Sequence, residues 1–556
     1  MTIATDALLR HLQEFGYRRR PFLTDLSGAP RTADSFDDQL YYGVLGYERE
    51  AFSEARALLT RAAARPSPAG DAAWFYLALT LQREGQEPAA LEAFVQAFRH
   101  GERLRPALLE AACLAQRLGD EGTAVALFRQ YLSVEGDPAA LRQLLTLEQL
   151  HAYNRALAES SPRVARLLAP CALIGSAGAP LPPRTERTLA AMLDATWDDL
   201  LAGRLSRPEH AGRWTEAPLR RRRVMLVFAR HINCSEDFVE SDVLHHLQAS
   251  ARARGHAVEV FHADRLLYGE GALPNAVRRI DGAPWRPDAA ALAPEQARLA
   301  AAIEAFAPDL VLLEANFVPT ATTLSPRFFA TLPTRRQFSL IAVVPDLYDQ
   351  APDFGGAWAV EADRVLAFND QGRHAQALRE AGKLLYFPNL PFEPNPHARG
   401  LRPWDFVFAG SLQRGRDAVL ATVARHVGSH RIVGTDRRAS TAMPRVDDFY
   451  RLLAQGRVTF NTGWLEPPHA PIQTGRTVEA MQARTVLLEE SYGALARSFV
   501  PYVHFVPVAH AAQVVAWTEF FARHEAHRER MADAALAFVE QCYSPRHFWT
   551  MLETSA

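Results

Sequence analysis

The first part of the chain carries apolar residues at helical spacing. Between Trp74 and Phe128 they fall three or four positions apart, as on the buried face of a helix. The same kinds of residue return after 34 positions. The matched pairs are Trp74 with Leu108, Gly85 with Gly119, Ala90 with Ala124, and Phe94 with Phe128. A fixed period of this length predicts stacked helix pairs, each burying its apolar face against the next.

The order of residues within one period resembles the tetratricopeptide repeat. A weaker copy precedes it at Gly43, Ala55, Leu59 and Ala62. We expect an N-terminal extension over 1–35, helical repeats over 36–150 and a helical linker over 151–220. Such an array either holds a peptide or partner protein on a concave surface or serves as a scaffold or dimerisation arm, and the sequence leaves both open.

The pattern changes after Arg223. Short, continuously apolar runs such as Val224 to Ala229 now alternate with segments that have the apolar spacing of helices. This alternation predicts parallel strands covered by helices on both faces. The segment 388–403 contains five prolines and separates two such series. We therefore predict two Rossmann-like halves, 221–395 and 396–556, around a cleft. The fold class is α/β with an all-α N-terminal region.

The composition of the chain argues against several classes of function. The 556 residues include 61 basic and 63 acidic side chains, a net charge of −2, which argues against a nucleic-acid partner. Lys383 is the single lysine and does not follow a glycine-rich loop, so a Walker ATPase is excluded. No GxGxxG follows the first strand of either half, which disfavours a dinucleotide site.

Targeting signals and cysteine spacing point to one compartment. The four cysteines form no CxxC pair, which is typical of free thiols rather than of a zinc or disulfide framework. We find no signal peptide and no transmembrane run of apolar residues. We expect a cytoplasmic protein.

Three loops of the second half follow predicted strands, where parallel sheets bind ligands. The first contains Gly410, Ser411, Arg414 and Arg416, the second Asn461, and the third Gly475, Arg476 and Glu479. Glycine lets a ligand approach the backbone, and arginine pairs with phosphate oxygens. The third loop opens a helix, whose N-terminus favours a diphosphate. We predict that these eight residues bind an anionic donor.

Segments 405–416, 457–463, 474–490 and 529–552 resemble GT-B-fold glycosyltransferases of the group 1 type, closest to the CgeB-like branch. The resemblance implies that the second half binds a nucleotide-diphosphate sugar, that the first half binds the acceptor, and that the final helix crosses back to the first half. Two departures stand out. Pro471 replaces a glutamate eight positions before Glu479, which leaves a retaining mechanism open to question, and Arg484 stands in a turn where the family usually has glycine.

An inverting transfer needs a base on the first half. His231 and Asp237, in the loop after the first strand, are the leading candidates, with Asp346 and Asp349 behind them. Asp237 has the alternative role of a helix cap. We predict no required metal and no cofactor beyond the sugar nucleotide as co-substrate.

Three functions fit this sequence. The leading hypothesis is transfer of a sugar to a protein, such as a surface or flagellar protein, held by the repeats. In the second, the acceptor is a lipid-linked or polysaccharide intermediate and the repeats serve assembly. In the third, the fold is a catalytically degenerate binding scaffold.

Overall fold

The computed structural model describes residues 35–67, 69–101, 105–118, 120–133, 138–171, 181–218, 220–230, 241–267, 289–345, 347, 353–412, 416–435, 445–463, 473–490 and 492–555. The chain divides into two compact units. The described residues up to Ala158, with short stretches up to Thr188, form the first, and those from Leu189 onward form most of the second.

The first unit is built from helices. They are α1 (Phe36–Glu48), α2 (Phe52–Ala63), α3 (Gly70–Arg83), α4 (Glu87–His100), α5 (Arg105–Arg117), α6 (Glu121–Leu132) and α7 (Pro138–Ser160). The matched apolar positions Leu108, Ala90, Phe94, Ala124 and Phe128 are all buried. The predicted period is therefore the period of helix packing.

Small residues let neighbouring helices of this unit approach each other. An ideal Cβ at Gly43 would lie 2.7 Å from Cγ of Leu59, so a larger side chain would displace α2. Gly85 follows α3 with φ +75, a backbone conformation that favours glycine. Two further helices follow in the sequence, α8 (Pro162–Cys171) and α9 (Pro183–Leu201).

The first sheet has six parallel strands. They are β1 (Arg223–Phe228), β2 (Ala257–His262), β3 (Leu310–Glu314), β4 (Ser339–Val344), β5 (Arg364–Ala367) and β6 (Leu384–Tyr386), in the order β2-β1-β3-β4-β5-β6. The helices between them are α10 (Asp242–Ala253), α11 (Asp264–Leu267), α12 (Ala289–Phe306), α13 (Pro326–Ala330), α14 (Phe354–Ala359) and α15 (Arg373–Glu380). Buried Val, Leu and Ile side chains on both faces of β1 and β4 explain their continuous apolar runs.

The second sheet repeats this order. Its strands are β7 (Trp404–Ser411), β8 (His430–Thr435), β9 (Gly456–Asn461), β10 (Val486–Glu489) and β11 (Val506–Pro507), in the order β11-β10-β9-β7-β8, all parallel. The helices are α16 (Arg416–His426), α17 (Val446–Ala454), α18 (Gly475–Gln482), α19 (Tyr492–Leu495), α20 (Ala511–Arg523), α21 (Glu525–Tyr543) and α22 (Pro545–Ser555). The predicted fold class is confirmed.

The apolar run from Val503 to Val506 has the pattern of a buried strand, but the structure forms a strand only over Val506–Pro507. The residues before it form a turn, in which the Tyr502 amide donates to the Phe505 carbonyl over 2.7 Å and Tyr502 has φ +57. An apolar run that is buried in a turn looks like a buried strand in the sequence.

The final helix packs against the first half, as the family resemblance implied. The indole Nε1 of Trp549 in α22 donates to Ser250 Oγ of α10 over 3.0 Å. Glu553 lies 3.3 Å from His256 Nε2 and 3.4 Å from Arg254 Nε. The end of the chain thus joins the two sheets. Among the described residues, no helix combines the length and apolar content that crossing a membrane requires.

Candidate functional site

Both sheets place a topological switch point at matching strands. In each sheet, the strand order reverses direction at one point. This point lies between β1 and β3 in the first sheet and between β7 and β9 in the second. Ligands of open α/β sheets bind at the carboxyl ends of such strands. In the second sheet these ends carry Gly410 and Asn461, two of the predicted donor-binding residues.

Arg476 lies against the end of β7. Its guanidinium donates to the carbonyl of Ala409 and stacks over the ring of Phe408 at 4.7 Å from the centroid. Gly410 has φ +137, and a Cβ there would overlap Nη2 of Arg476. The glycine is therefore required by both the backbone and the arginine. Burial lowers the pKa of Arg476 from its ordinary value.

Arg416 joins the two loops that flank the switch point. It begins α16 directly after the β7 loop, its side chain is buried, and its Nη2 donates to the carbonyl of Thr462 over 2.7 Å. Thr462 follows β9. The predicted donor residues Arg416 and Asn461 are thus brought to one edge of the sheet.

A polar cluster that the sequence did not single out lies beside them. Asn461 Nδ2 donates to Glu489 Oε2 over 2.8 Å, and Thr477 Oγ1 donates to the same oxygen over 3.3 Å. All three side chains are buried. The position of Glu489 at the carboxyl end of an apolar strand was the signal available in the sequence. This cluster fixes Asn461 and the first turn of α18.

Several polar atoms at this edge have no hydrogen-bond partner among the described residues. They are Gln473 Nε2, Thr474 Oγ1, Arg476 Nε and Asn461 Oδ1, all buried. Thr474 occupies the N-cap position of α18, where threonine normally caps, yet its side chain makes no cap bond. Gly475 opens the helix. Unpaired buried polar groups are costly, so their concentration at one helix N-terminus indicates a ligand site.

Glu479 lies one turn into α18. Burial raises its pKa to about 8, the nearby carboxylate of Asp242 adds to the rise, and Arg476 opposes it. Asp242 begins α10 of the first half and was not singled out from the sequence. A carboxylate of the first half therefore contributes to the raised pKa of Glu479.

The corresponding edge of the first sheet carries two further carboxylates. Glu314 Oε2 accepts from the amide of Ala229 over 2.9 Å, and Asp264 Oδ1 accepts from the amide of Arg230 over 3.2 Å. Neither residue was singled out from the sequence, although Glu314 ends β3 and Asp264 lies two residues after β2. Backbone N–H groups after β1 hold them beside the switch point.

Other predicted residues are not placed. His231, Asp237, Asp346, Asp349, Arg414 and Pro471 lie outside the described residues, and for Ser411 only the backbone is described. The part of the chain that the structure describes contains no group of three or more side chains suited to a metal ion. The catalytic base and the eight donor-binding residues therefore stay predictions.

Known families and structures add to this geometry. The model of a family described as glycosyl transferase-like matches residues 414–554. Those residues contain β8 to β11 of the second sheet and the N-terminus of α18, whereas β7 precedes them. The two Rossmann-like sheets, preceded by an all-helical region, have the architecture that the sequence predicted, and residues 414–554 are similar to a glycosyltransferase-like family.

Several solved structures are also similar to this chain. A mutant of the Thermobaculum terrenum O-GlcNAc transferase is 14% identical, with 95% of this chain and 98% of that chain covered and a TM-score of 0.33. Anabaena HepE in complex with UDP and glucose is 13% identical, with 60% and 99% covered and a TM-score of 0.37. These low TM-scores carry no argument about fold or function. No curated protein matches the chain.

Proposed function

We propose that the protein transfers a sugar from a nucleotide-diphosphate donor to an acceptor. The observation that carries this proposal is the set of unpartnered polar atoms around the N-terminus of α18, in the part of the chain that matches a glycosyltransferase family. A diphosphate fits there because the helix dipole and Arg476 supply positive potential.

Glu479 suits the ribose of such a donor. A carboxyl with a pKa of about 8 is mostly protonated near neutrality, so it offers one donor and one acceptor to neighbouring hydroxyl groups. This role agrees with the position that the family resemblance assigns to it. The sugar would then project from the diphosphate toward the first sheet.

In the proposed reaction one bond forms, one bond breaks and one proton is transferred. The acceptor oxygen bonds to the anomeric carbon, the bond from that carbon to the diphosphate breaks, and the nucleoside diphosphate leaves with the electron pair. In an inverting transfer a first-half base takes the acceptor proton. His231 and Asp237 remain the proposed bases. Arg476 and the α18 dipole would stabilise the charge on the leaving diphosphate, without a required metal.

We further propose that the acceptor is a protein held by the helical repeats. The buried matched positions support a stacked array, and stacked helix pairs present extended surfaces for polypeptides. A lipid-linked or polysaccharide acceptor is the alternative. Intact-mass measurement of a candidate protein, with and without the enzyme and donor, separates the two because transfer adds the mass of one sugar.

Nucleotide release tests the donor. The full-length protein is incubated with UDP-, GDP- and dTDP-sugars, and free nucleotide is measured. We expect release from at least one donor, and a loss of about 100-fold or more in Arg476→Ala, since one preorganised charge contact is typically worth this much. The matched control is Arg484→Ala, which removes an arginine at the other end of α18 that pairs with Glu529 and Asp533.

The control variant should keep its donor turnover. If the wild-type protein neither binds nor turns over any of these donors, the proposal fails, and the degenerate scaffold becomes the better reading. Equal loss in both variants would show that Arg476 acts through stability alone.

A further inference from the structure

Arg497, in the second half, forms ion pairs with two carboxylates. Arg497 Nη1 donates to Asp370 Oδ1 over 2.6 Å and Nη2 to Asp370 Oδ2 over 3.1 Å. Its Nε donates to Glu209 Oε2 over 2.8 Å and Nη2 to Glu209 Oε1 over 2.9 Å. Both edges of the planar guanidinium therefore form bidentate pairs, a geometry that lysine cannot reproduce.

The three side chains come from three parts of the second unit. Asp370 follows β5 of the first sheet, Arg497 follows α19 of the second half, and Glu209 belongs to the segment between α9 and β1. We call this group the Arg497 clamp. It spans the two sheets at a point that neither the donor site nor the final helix occupies.

Further hydrogen bonds hold the segments on either side of the clamp. The amide of His210 donates to the carbonyl of Arg497 over 2.8 Å, and His210 Nδ1 lies 3.1 Å from Ser498 Oγ and 3.3 Å from Tyr386 Oη. Burial lowers the pKa of His210 to about 4. The imidazole is therefore neutral near pH 7, and Arg497 carries the positive charge of the cluster.

The two arms of the clamp differ in burial. The Asp370 side chain is 5% exposed, whereas that of Glu209 is 59% exposed. Breaking a buried ion pair leaves an uncompensated charge, but an exposed pair is worth little. The ion pair between Arg497 and Asp370, which joins the two halves, therefore contributes more than the pair with Glu209.

We propose that Arg497 is a positioning residue for sugar transfer: its buried pair with Asp370 fixes the angle at which the two sheets face each other. The inference rests on the proposed function, because it concerns the same reaction. The acceptor oxygen and the anomeric carbon must meet at about 3–3.5 Å, and a displacement of about 1 Å costs on the order of 100-fold in rate. A contact far from the chemistry can therefore control kcat.

The test compares Arg497→Lys and Asp370→Asn with the wild-type protein. Arg451→Ala, which removes an exposed ion pair with Asp447 within the second half, is the matched control. We measure kcat, the donor dissociation constant by calorimetry, and the distance distribution between spin labels at the exposed positions Arg327 and Arg425. Each variant is first shown to be folded by its thermal transition.

We expect both clamp variants to broaden the distance distribution and to lower kcat by about tenfold or more, with the donor dissociation constant within about twofold of wild type. Glu209→Gln should have a smaller effect than Asp370→Asn, and Arg451→Ala should behave as wild type. Folded clamp variants with wild-type distances and kcat would overturn the proposal. If the wild-type protein transfers no sugar, the proposed function fails, while the distance distributions still decide whether the clamp orients the sheets.

Discussion

The two sheets have the same strand order, but the polar side chains at their carboxyl edges differ in whether they are hydrogen-bonded. At the second sheet, buried polar atoms of Thr474, Arg476 and Asn461 lack partners among the described residues. At the first sheet, the carboxylates of Glu314 and Asp264 already accept backbone N–H groups. The same fold therefore leaves buried polar atoms without described partners in one half, while in the other half carboxylates are held by backbone N–H groups.

The proposed function, with the donor on the second half and the acceptor on the first, would account for this difference. A nucleotide diphosphate brings many oxygens, so a site for it carries unused donors until the ligand arrives. The acceptor side needs a base and room for a hydroxyl group. The comparison predicts that substitutions at the second edge cost more than matched ones at the first.

The largest effect is expected from Asn461→Asp. It places a second carboxylate where Nδ2 now donates to the buried Glu489 over 2.8 Å. We expect a loss of about 3 kcal/mol or more in the free energy of unfolding at neutral pH, because two buried like charges repel. Chemical denaturation measures it, with Asn461→Gln as the control that keeps an amide. Wild-type stability in the aspartate variant would contradict the buried cluster.

Gly410→Ala should cost less stability but impair the donor site. Gly410 has a positive φ that side chains rarely adopt, and an added Cβ would overlap Arg476 Nη2. We expect about 1–3 kcal/mol of destabilisation from the strain and weaker binding of nucleoside diphosphates because Arg476 moves. Gly428→Ala is the control, since no atom lies within 4 Å of an ideal Cβ there. Equal donor affinities in the two variants would argue against a role of the β7 turn.

Glu479→Gln should change the pH dependence of stability. The pKa of Glu479 in the folded protein is about 8, above its ordinary value of 4.5. The unfolded chain therefore releases this proton first, and stability is lost as pH rises from about 4.5 to 8. We expect the glutamine variant to gain stability over wild type at pH 8 and little at pH 4. A gain of equal size at both pH values would contradict the raised pKa.

Glu314→Gln should have the smallest effect of these substitutions. The amide oxygen can still accept from the Ala229 amide, so the free energy of unfolding should change by less than about 1 kcal/mol. Donor affinity should stay within about twofold, because Glu314 belongs to the other sheet. Calorimetry with UDP checks this. A strong loss of donor binding would erase the contrast between the two edges.

The sequence predicted the fold more completely than the site. Apolar runs and the repeat period located most strands and the helical packing, because both depend on local spacing. The apolar run before Val506 has the pattern of a strand yet forms a turn, because burial alone does not separate a turn from a strand. Arg484 has φ +53 where the family resemblance expects glycine, and it pairs with Glu529 and Asp533, partners 45 and 49 positions away.

Contacts between distant segments could not be predicted. Gly410, Arg416 and Arg476 were placed at one edge by strand order, but the bond from Arg416 to Thr462 spans 46 positions. The effect of Asp242 on Glu479 and the Arg497 clamp join different halves. These depend on how the two sheets face each other, which local spacing does not encode.

The most direct test of the account is calorimetric titration of UDP, GDP and dTDP into the full-length protein, Arg476→Ala and Glu314→Gln. The account predicts that at least one nucleoside diphosphate binds the wild-type protein, that Arg476→Ala weakens this binding by about tenfold or more, and that Glu314→Gln leaves it within about twofold. Binding that survives Arg476→Ala but is lost in Glu314→Gln would place the donor on the first sheet and contradict the account.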